Sequence, residues 1–346
     1  MAQRNEAVTL NDIAQACGVS RATVSRALRN SSLISSAVTR RIQKTARQLG
    51  YRPDPEASRL MEHLKRSQTV RFKSTIAFLN AYQPATRIND DPYMRRWLAG
   101  VRERADQLGY ALDEAGLGAE GMTPERLSGI LDARGIRGLL IPPEPDPLFQ
   151  VELDWSKLAV VASTTTASLL HLHRVLPDNL ANMILLLGEV LKRGYQRPAL
   201  ISWPDLEERQ RYAPTSVYSR YAWCEKRFKS IPVLKWDWRA HDREQRLLNW
   251  IRKHEPDCVL APDPHIYDVM LQQGFAIPSA VGFISYAGTR EDVSRLDELP
   301  EAIGCAAVDL LSAQINQGEF GLPRRRKTVL LEGRFIAGST TRGRDE

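Results

Sequence analysis

Apolar residues recur at helical spacing three times within the first fifty positions, and each run is bounded by residues that start or stop helices. Leu10, Ile13, Ala14 and Cys17 share one stripe, behind Thr9, which with Asp12 makes the S/T-x-x-acid pattern of a helix start. Gly18 can take the left-handed conformation that ends this helix, and Val19 then packs inward at the turn. Ser20 is placed to cap a second helix, Arg21 to Arg29. In it Ala22, Val24, Ala27 and Leu28 form the apolar side, leaving Arg21, Thr23, Ser25 and Arg26 for another partner. A third helix starts at a cap near Ser35 or Ser36, carries Val38, Ile42, Thr45, Ala46 and Leu49 on one stripe, and ends at Gly50. Two short helices joined by a tight glycine-containing turn, with a third to close a small core, predict a helix-turn-helix unit.

Beyond residue 50 the texture changes twice. Tyr51-Arg-Pro-Asp-Pro55 is extended, because each proline disfavours helix in the residue before it. Asp54 then reads as a cap with Pro55 at the first helical position, followed by Glu56 to Leu64, a helix too short to be stable alone. From residue 73 short apolar runs alternate with amphipathic stretches. Strands are predicted at Thr75–Leu79, Gly138–Ile141, Leu158–Val161, Ala199–Ile201, Cys258–Ala261 and Ala280–Ile284. Helices are predicted at Tyr93–Leu108, Pro124–Ala133, Leu180–Arg193, Ser216–Phe228, Arg243–His254 and Ile266–Gln273. Repeated βα units mean parallel sheets with helices on both faces, so the fold class is multidomain, an all-α headpiece followed by an α/β body.

Charge sharpens this division. The chain of 346 residues has a net charge of +7, and residues 1–66 account for all of it, with 12 Lys+Arg against 5 acids. A short basic segment on a neutral body suits a polyanion-binding module attached to a soluble domain, since phosphates neutralised by cations release counterions. Charge alone fits a solvated basic surface equally well; the helical pattern decides for DNA. No apolar run is long enough to span a bilayer and the first seven residues are polar, so the protein is expected in the cytoplasm. Cys17, Cys224, Cys258 and Cys305 are scattered, which suggests neither a zinc site nor a disulfide framework, and no cofactor or metal is expected.

The residues Val8-Thr9-Leu10, Asp12-Ile13-Ala14, Gly18-Val19-Ser20, Thr23-Val24-Ser25-Arg26 and Leu49-Gly50-Tyr51 with Pro53 stand in the order and spacing of the LacI/GalR family of transcription regulators, which this chain resembles. The resemblance continues in Arg193-Gly-Tyr195, Ile277-Pro278 with Val281-Gly282-Phe283, Glu332-Gly333-Arg334-Phe335 and Gly338-Ser-Thr-Thr-Arg342. It implies that the second helix lies in the major groove, with Arg21, Ala22 and Arg26 at base edges and Thr9, Ser20, Thr23, Ser25 and Ser35 at phosphates or caps. Arg26 has two roles open to it, a bidentate contact to guanine or a plain phosphate contact. For Ser20 and Thr23, capping and phosphate binding are equally open. Arg29 departs from the asparagine common after the second helix.

The resemblance further implies that residues 51–72 form a hinge helix, folded when two subunits meet in the minor groove. There Leu60 would wedge between base pairs, with Ala57 and Met61 packed between the paired helices. Leu60 as a plain interdomain core residue is the alternative. Residues 1–50 would be the headpiece, and residues 73–346 a two-lobed effector-binding and dimerisation domain similar to periplasmic binding proteins. Lobe one would take about 73–177 plus 293–322, and lobe two about 178–292 plus 323–346. Ligand would bind in the interlobe cleft at the carboxyl ends of the strands.

Tyr93, Ser163, Arg220 and Trp238 stand where the family places contacts to a small polar ligand. Ordinary packing for Tyr93 and Trp238, and a surface ion pair for Arg220, fit as well. Two departures bear on the ligand: Pro262-Asp263 replaces the family's usual Asn-Asp, and Ala287 replaces an acid after Tyr286. Both make a common hexose less suited than usual.

The expected function is a sequence-specific regulator, a repressor, that binds a pseudopalindromic operator in double-stranded DNA as a homodimer and answers to a small polar, carbohydrate-derived effector. An enzyme is disfavoured, because the body has no P-loop, no G-x-S-x-G and no histidine-carboxylate cluster. A recombinase would need clustered catalytic arginines with a serine or tyrosine domain, and a DNA-packaging protein would leave the neutral body unexplained.

Overall fold

The computed structural model describes residues 10–28, 34–50, 74–80, 88–117, 121–143, 153–165 and 171–343. The N-terminal unit consists of α1 (Leu10–Cys17), α2 (Arg21–Leu28) and α3 (Ser36–Gln48). Ile13, Ala14, Val24, Ala27, Ile42 and Ala46 form its buried core, with Cys17, Val19, Leu28, Ile34 and Val38 packed around them. Gly18 has φ 63°, and the Val19 N–H bonds the Ala14 carbonyl across the turn at 3.0 Å, so the chain reverses within two residues of the end of α1. Leu49, expected on the core stripe of α3, is instead the C-cap residue and is 39% exposed. The helix stops one position too early to turn it inward.

The body opens with β1 (Ser74–Asn80), α4 (Pro92–Leu108), β2 (Tyr110–Gly116), α5 (Pro124–Ala133), β3 (Gly138–Ile141), β4 (Ala159–Ala162) and β5 (His173–Pro177). The chain then enters a second lobe through α6 (Asn179–Lys192), β6 (Pro198–Ser202), α7 (Pro204–Arg209), α8 (Ala213–Cys224) and β7 (Leu234–Lys235). That lobe continues with α9 (Arg243–His254), β8 (Cys258–Ala261), α10 (His265–Gln272), β9 (Gly282–Ser285) and β10 (Ser294–Asp297). It returns to the first lobe as α11 (Pro300–Gln317) and β11 (Thr328–Leu331), and crosses a last time into β12 (Arg334–Ile336). The first sheet has the order β11-β5-β4-β3-β1-β2 and the second β12-β10-β9-β8-β6-β7. Every pairing is parallel except β10 with β12, as connections through helices require.

Two of the expected lobe boundaries need correction. Residues 294–297, expected in lobe one, are the β10 strand of the second sheet, with Ser294 opposite Ile284 and Asp297 opposite Arg334. Residues 328–331, expected in lobe two, form the edge of the first sheet, with Thr328 opposite Arg174. The second and third crossings therefore fall at residues 298–299 and 332–333. Both strands are four residues long, β10 partly polar and β11 exposed at the edge of its sheet, and hydrophobic patterning carries little signal in such strands.

Each sheet is covered on both faces. In lobe one, α4 and α11 close one face over Phe78, Leu140, Val161 and Val175, while Leu127 and Leu131 of α5 pack with Leu139 and Val160 on the other. The α4–α11 crossing is tight: a Cβ on Gly100 would collide with the Glu301 backbone and one on Gly304 with the Trp97 carbonyl. In lobe two, α6 and α8 cover one face with Leu186, Leu187 and Val217, and α9 and α10 cover the other with Leu247, Ile251 and Met270.

Candidate functional site

The helix-turn-helix presents α2 on the core through Val24 and Ala27. Ser20 caps it: its Oγ accepts the Thr23 N–H at 3.1 Å and shares a 2.8 Å hydrogen bond with the Thr23 hydroxyl. Ser20 is therefore the helix cap, steadied by the Thr23 hydroxyl. Arg21, Ala22, Ser25 and Arg26 occupy the first two turns of α2; their side chains lie outside the described residues. Ser35 stands at the N-cap position of α3, yet its side chain makes no cap hydrogen bond. Arg41 steadies the turn from the third helix, its guanidinium donating to the Cys17 carbonyl at 3.2 Å. Thr9 and the proposed hinge residues Ala57, Leu60 and Met61 lie outside the described residues.

Between the lobes is a cleft of about 320 Å³ at the carboxyl ends of the strands, lined by residues of both lobes. Tyr93 and Ser163 line it, with Thr164, Thr165 and Asn179. Tyr93 is set by the start of α4, where Asp91 caps the helix through the Tyr93 N–H at 2.8 Å with Pro92 at its first position. Ser163 accepts the indole N–H of Trp97 at 3.1 Å, which leaves its own proton to donate into the cleft.

The hydroxyl of Tyr93 bonds the Glu298 carboxyl, and burial with this neighbouring acid raises the phenol's pKa well above its usual value. Glu298 stands on the second crossing between lobes. It keeps some surface open to the cleft, but desolvation, aided by Asp297, pushes its carboxyl up to about 7, against the hydrogen bond from Tyr93. Beside it Asp297 ties the lobes, accepting from Arg96 of α4 at 2.9 Å and from Arg334 of β12 at 3.1 Å.

Arg220 and Trp238 are not brought to the cleft. Arg220 lines a separate surface groove between α6 and α8 with Leu180, Ile184 and Tyr221, its guanidinium 5.9 Å from the Trp223 ring. Trp238 is 46% exposed and stands edge-on to Trp203 with ring centres 6.5 Å apart. The aromatic wall of the cleft is Trp203 itself, the residue after β6, accompanied by Leu206, Arg209 and Gln210 of the following helix and turn. Sequence reasoning missed Trp203, Arg209 and Glu298. Trp203 stands two residues after a predicted strand, at the carboxyl end where ligands gather in α/β sheets, and that position was the available signal. Ala287 lines the cleft where an acid was expected, whereas Asp263 is occupied at the start of α10, accepting the His265 N–H at 2.9 Å.

The motifs quoted from the body prove to be scaffolding of lobe two. Arg193 forms a buried ion pair with Glu189 at 2.8 Å and stacks over Phe335. The Tyr195 hydroxyl accepts the Arg342 N–H at 2.9 Å, and Gly333, packed against the Asp297 carbonyl, donates its N–H to Asn182 at 2.7 Å.

Residues 9–54 match the family described as bacterial regulatory proteins, lacI family. The chain is 31% identical over 197 residues to the HTH-type transcriptional regulator Rv3575c of Mycobacterium tuberculosis, covering 56% of this chain and 52% of that one. It is 24% identical over 204 residues to the HTH-type transcriptional repressor CytR of Escherichia coli, covering 59% and 56%. The chain thus spans about half the length of the curated relatives it matches. Among solved structures it resembles a transcriptional regulator CelR–cellobiose complex, with TM-score 0.58 and 19% identity over 96% of this chain and 99% of that one. It also resembles the Lac repressor dimer bound to operator and the anti-inducer ONPF, with TM-score 0.52 and 17% identity over 98% and 100%. At these identities the structural likeness speaks for the fold. Residues 9–54 are thus similar to the DNA-binding domain of the lacI family of bacterial regulatory proteins, and the body has the two-lobed fold of these solved regulators.

Proposed function

We propose that the protein is a sequence-specific DNA-binding transcription regulator, acting as a repressor, whose affinity for its operator is set by a small polar metabolite in the interlobe cleft. The observation that carries this reading is the capped helix-turn-helix of residues 10–28 within the family match at 9–54, on a body whose cleft joins residues of both lobes. A solved relative in fold is a cellobiose complex and another is bound to operator, which supports a sugar-like effector and DNA as partners for this chain. A recognition helix of eight residues reads too few base pairs for useful specificity, so two copies on a pseudopalindrome are required. The body, 73–346, would supply the homodimer contacts and residues 51–72 the minor-groove hinge. No described helix is long and apolar enough to cross a membrane, in keeping with action on cytoplasmic DNA.

Selection of binding sites from a random DNA pool with the full-length protein tests the reading. A two-fold symmetric consensus, bound more tightly than unrelated DNA at the same salt, is the expected result. Equal affinity for all sequences would instead favour a packaging protein.

A further inference from the structure

We propose that lobe one of the body is itself a DNA-binding surface, whose loop between α11 and β11 holds Arg324, Arg325 and Arg326 against the phosphate backbone of duplex flanking the site read by the headpiece. This goes beyond the headpiece and the cleft, and rests on the reading of the protein as a DNA-binding regulator.

The direction of the strands fixes where the loop lies. β1 runs parallel to β2 and β3, β3 to β4, β4 to β5 and β5 to β11, so all six strands of the first sheet begin at one end. Their carboxyl ends face the cleft and their amino ends face away from it. Ser74 opens β1, so the chain arriving from the headpiece enters lobe one at the amino end. Thr328 opens β11, which puts residues 318–327 at the same end. Strands β5, β4 and β3 separate β11 from β1, four strand spacings or roughly 19 Å. That is less than one turn of duplex, about 34 Å.

The loop is tied down on both sides of the arginines. The Gly321 N–H bonds the Leu158 carbonyl at 2.9 Å, one residue ahead of β4. At the other side the Lys327 N–H donates to His173 Nδ1 at 2.8 Å, and the Lys327 carbonyl accepts the Arg174 N–H at 2.9 Å. Between these ties Arg324, Arg325 and Arg326 are exposed, and no hydrogen bond or ion pair engages them among the described residues.

Acids of the neighbouring loops are taken elsewhere. Glu319 pairs with Lys327 at 3.5 Å, Asp132 is shared by Arg137 and Lys157 at 2.9 and 2.8 Å, and Asp154 accepts the Ser156 N–H at 3.1 Å. The sequence leading into β1 adds Lys65, Arg66, Arg71 and Lys73, with no acid after Glu62. Residues 67–346 carry no net charge as a whole, so the excess at this end is local. Guanidinium groups match phosphate oxygens with two parallel hydrogen bonds, and each neutralised phosphate releases counterions. An acidic protein would suit the charge too, but the polyanion that the headpiece itself brings to this end is DNA.

Full-length protein and the combined Arg324→Gln, Arg325→Gln, Arg326→Gln variant are titrated across a salt series against three duplexes. One is the selected consensus alone, one the consensus with two helical turns (about 20 base pairs) of unrelated sequence on each side, and one unrelated sequence of the longer length. On the flanked site the variant should lose about tenfold in affinity at 0.1 M salt, with the slope of log affinity against log salt shallower by about 2–3. On the trimmed site it should track the parent. Lysine at the same three positions should keep the slope. Lys226→Gln, Lys229→Gln and Lys253→Gln together, exposed cations of lobe two, should leave binding as it is, and equal thermal midpoints establish that each variant is folded. A hydroxyl-radical footprint of the parent, which needs no variant, should extend beyond the consensus. Parent-like affinity and slope on the flanked site, an equal loss in the lobe-two variant or on the trimmed site, or a footprint confined to the consensus overturns the proposal and leaves the regulator reading intact. A parent that binds none of the three duplexes overturns that reading as well.

Discussion

Arg96 of α4 and Asp297 of β10 form an ion pair between the two lobes, with Nη1 and Oδ1 2.9 Å apart. The carboxylate is 4% exposed and the guanidinium 30%; Arg96 is also bonded to Glu301, and Asp297 to Arg334. Asp297 is the residue before Glu298, and Arg96 is three residues after Tyr93, so the pair sits directly behind the Tyr93–Glu298 contact of the cleft. Occupancy of the cleft and orientation of the lobes therefore act on the same few residues.

The first prediction follows from that pair. Burial by itself would raise the pKa of Asp297, but hydrogen bonds from Arg96 and the Leu299 N–H, with the charge of Arg96, hold it below its ordinary 3.8. A depressed carboxylate contributes stability that is present above the unfolded pKa and is lost as pH falls through the folded one. Asp297→Asn should cost about 2 kcal/mol at neutral pH, discounted because Arg96 stays partly solvated. The difference from the parent should shrink as pH falls below the ordinary 3.8 and through the lower folded value. Urea unfolding at several pH values measures it, and an unchanged midpoint at neutral pH would remove the pair from the stability of the hinge.

Glu298 is expected to show the opposite sign. Its folded pKa of about 7 lies above the ordinary 4.5, so its contribution is complete below 4.5 and falls away as pH rises through 7. Glu298→Gln should remove this loss and make the protein more stable by about 1–2 kcal/mol at pH 8, with little change at pH 4. Thermal melts across that range decide it. A variant that tracks the parent at every pH would mean that the carboxyl titrates alike in folded and unfolded chains.

Two glycines in helices should answer the same substitution with opposite signs. A Cβ on Gly304 would collide with the Trp97 carbonyl, within the α4–α11 crossing, whereas one on Gly188 of α6 would meet nothing within 4 Å. Gly188→Ala should stabilise the protein by about 0.5–1 kcal/mol through helix propensity. Gly304→Ala should destabilise it by about 2–3 kcal/mol by forcing two helix backbones apart. Denaturant midpoints of the two variants, measured side by side, provide the comparison.

On DNA, Arg26→Ala should cost about 1–3 kcal/mol on the selected site and relax preference at one base pair, if its guanidinium reads guanine. Competition binding against sites altered one position at a time checks this. A loss of equal size on every sequence, with a shallower salt dependence, would assign Arg26 to a phosphate.

Ser20→Ala supplies the contrast, since Ser20 caps α2 through the Thr23 N–H. It should lower stability of the headpiece by about 1 kcal/mol and weaken binding to all sequences alike. Faster amide exchange along residues 21–28 is the signature to seek, and unaltered exchange would show that the cap adds nothing to the helix.

What the sequence by itself determined is what neighbours along the chain decide. The three headpiece helices follow from stripes such as Ile13 with Cys17 and Val38 with Ile42, and from Gly18 and Ser20 at the turn, because helix periodicity and capping act within four residues. The buried strands at 138–141 and 258–261 were legible for the same reason, as short apolar runs between amphipathic helices.

Tertiary structure alone decided the rest. Strand β5 was hidden because it opens with His173 and Arg174, residues whose burial depends on partners far away in the chain. Helix α11 was hidden because its less buried side carries Ala302, Cys305, Ala306 and Leu310, as apolar as the buried stripe of Ile303, Ala307, Val308 and Leu311, so the sequence shows little contrast between faces. The cleft turned on similar distant choices. Arg220 and Trp238 have the right chemistry, but the turn of α8 and the packing of Trp203 against Trp238 direct them elsewhere. Tyr93 and Glu298 meet only because the chain crosses between its lobes at residue 298, and no local rule of helix or strand fixes where a long crossover returns.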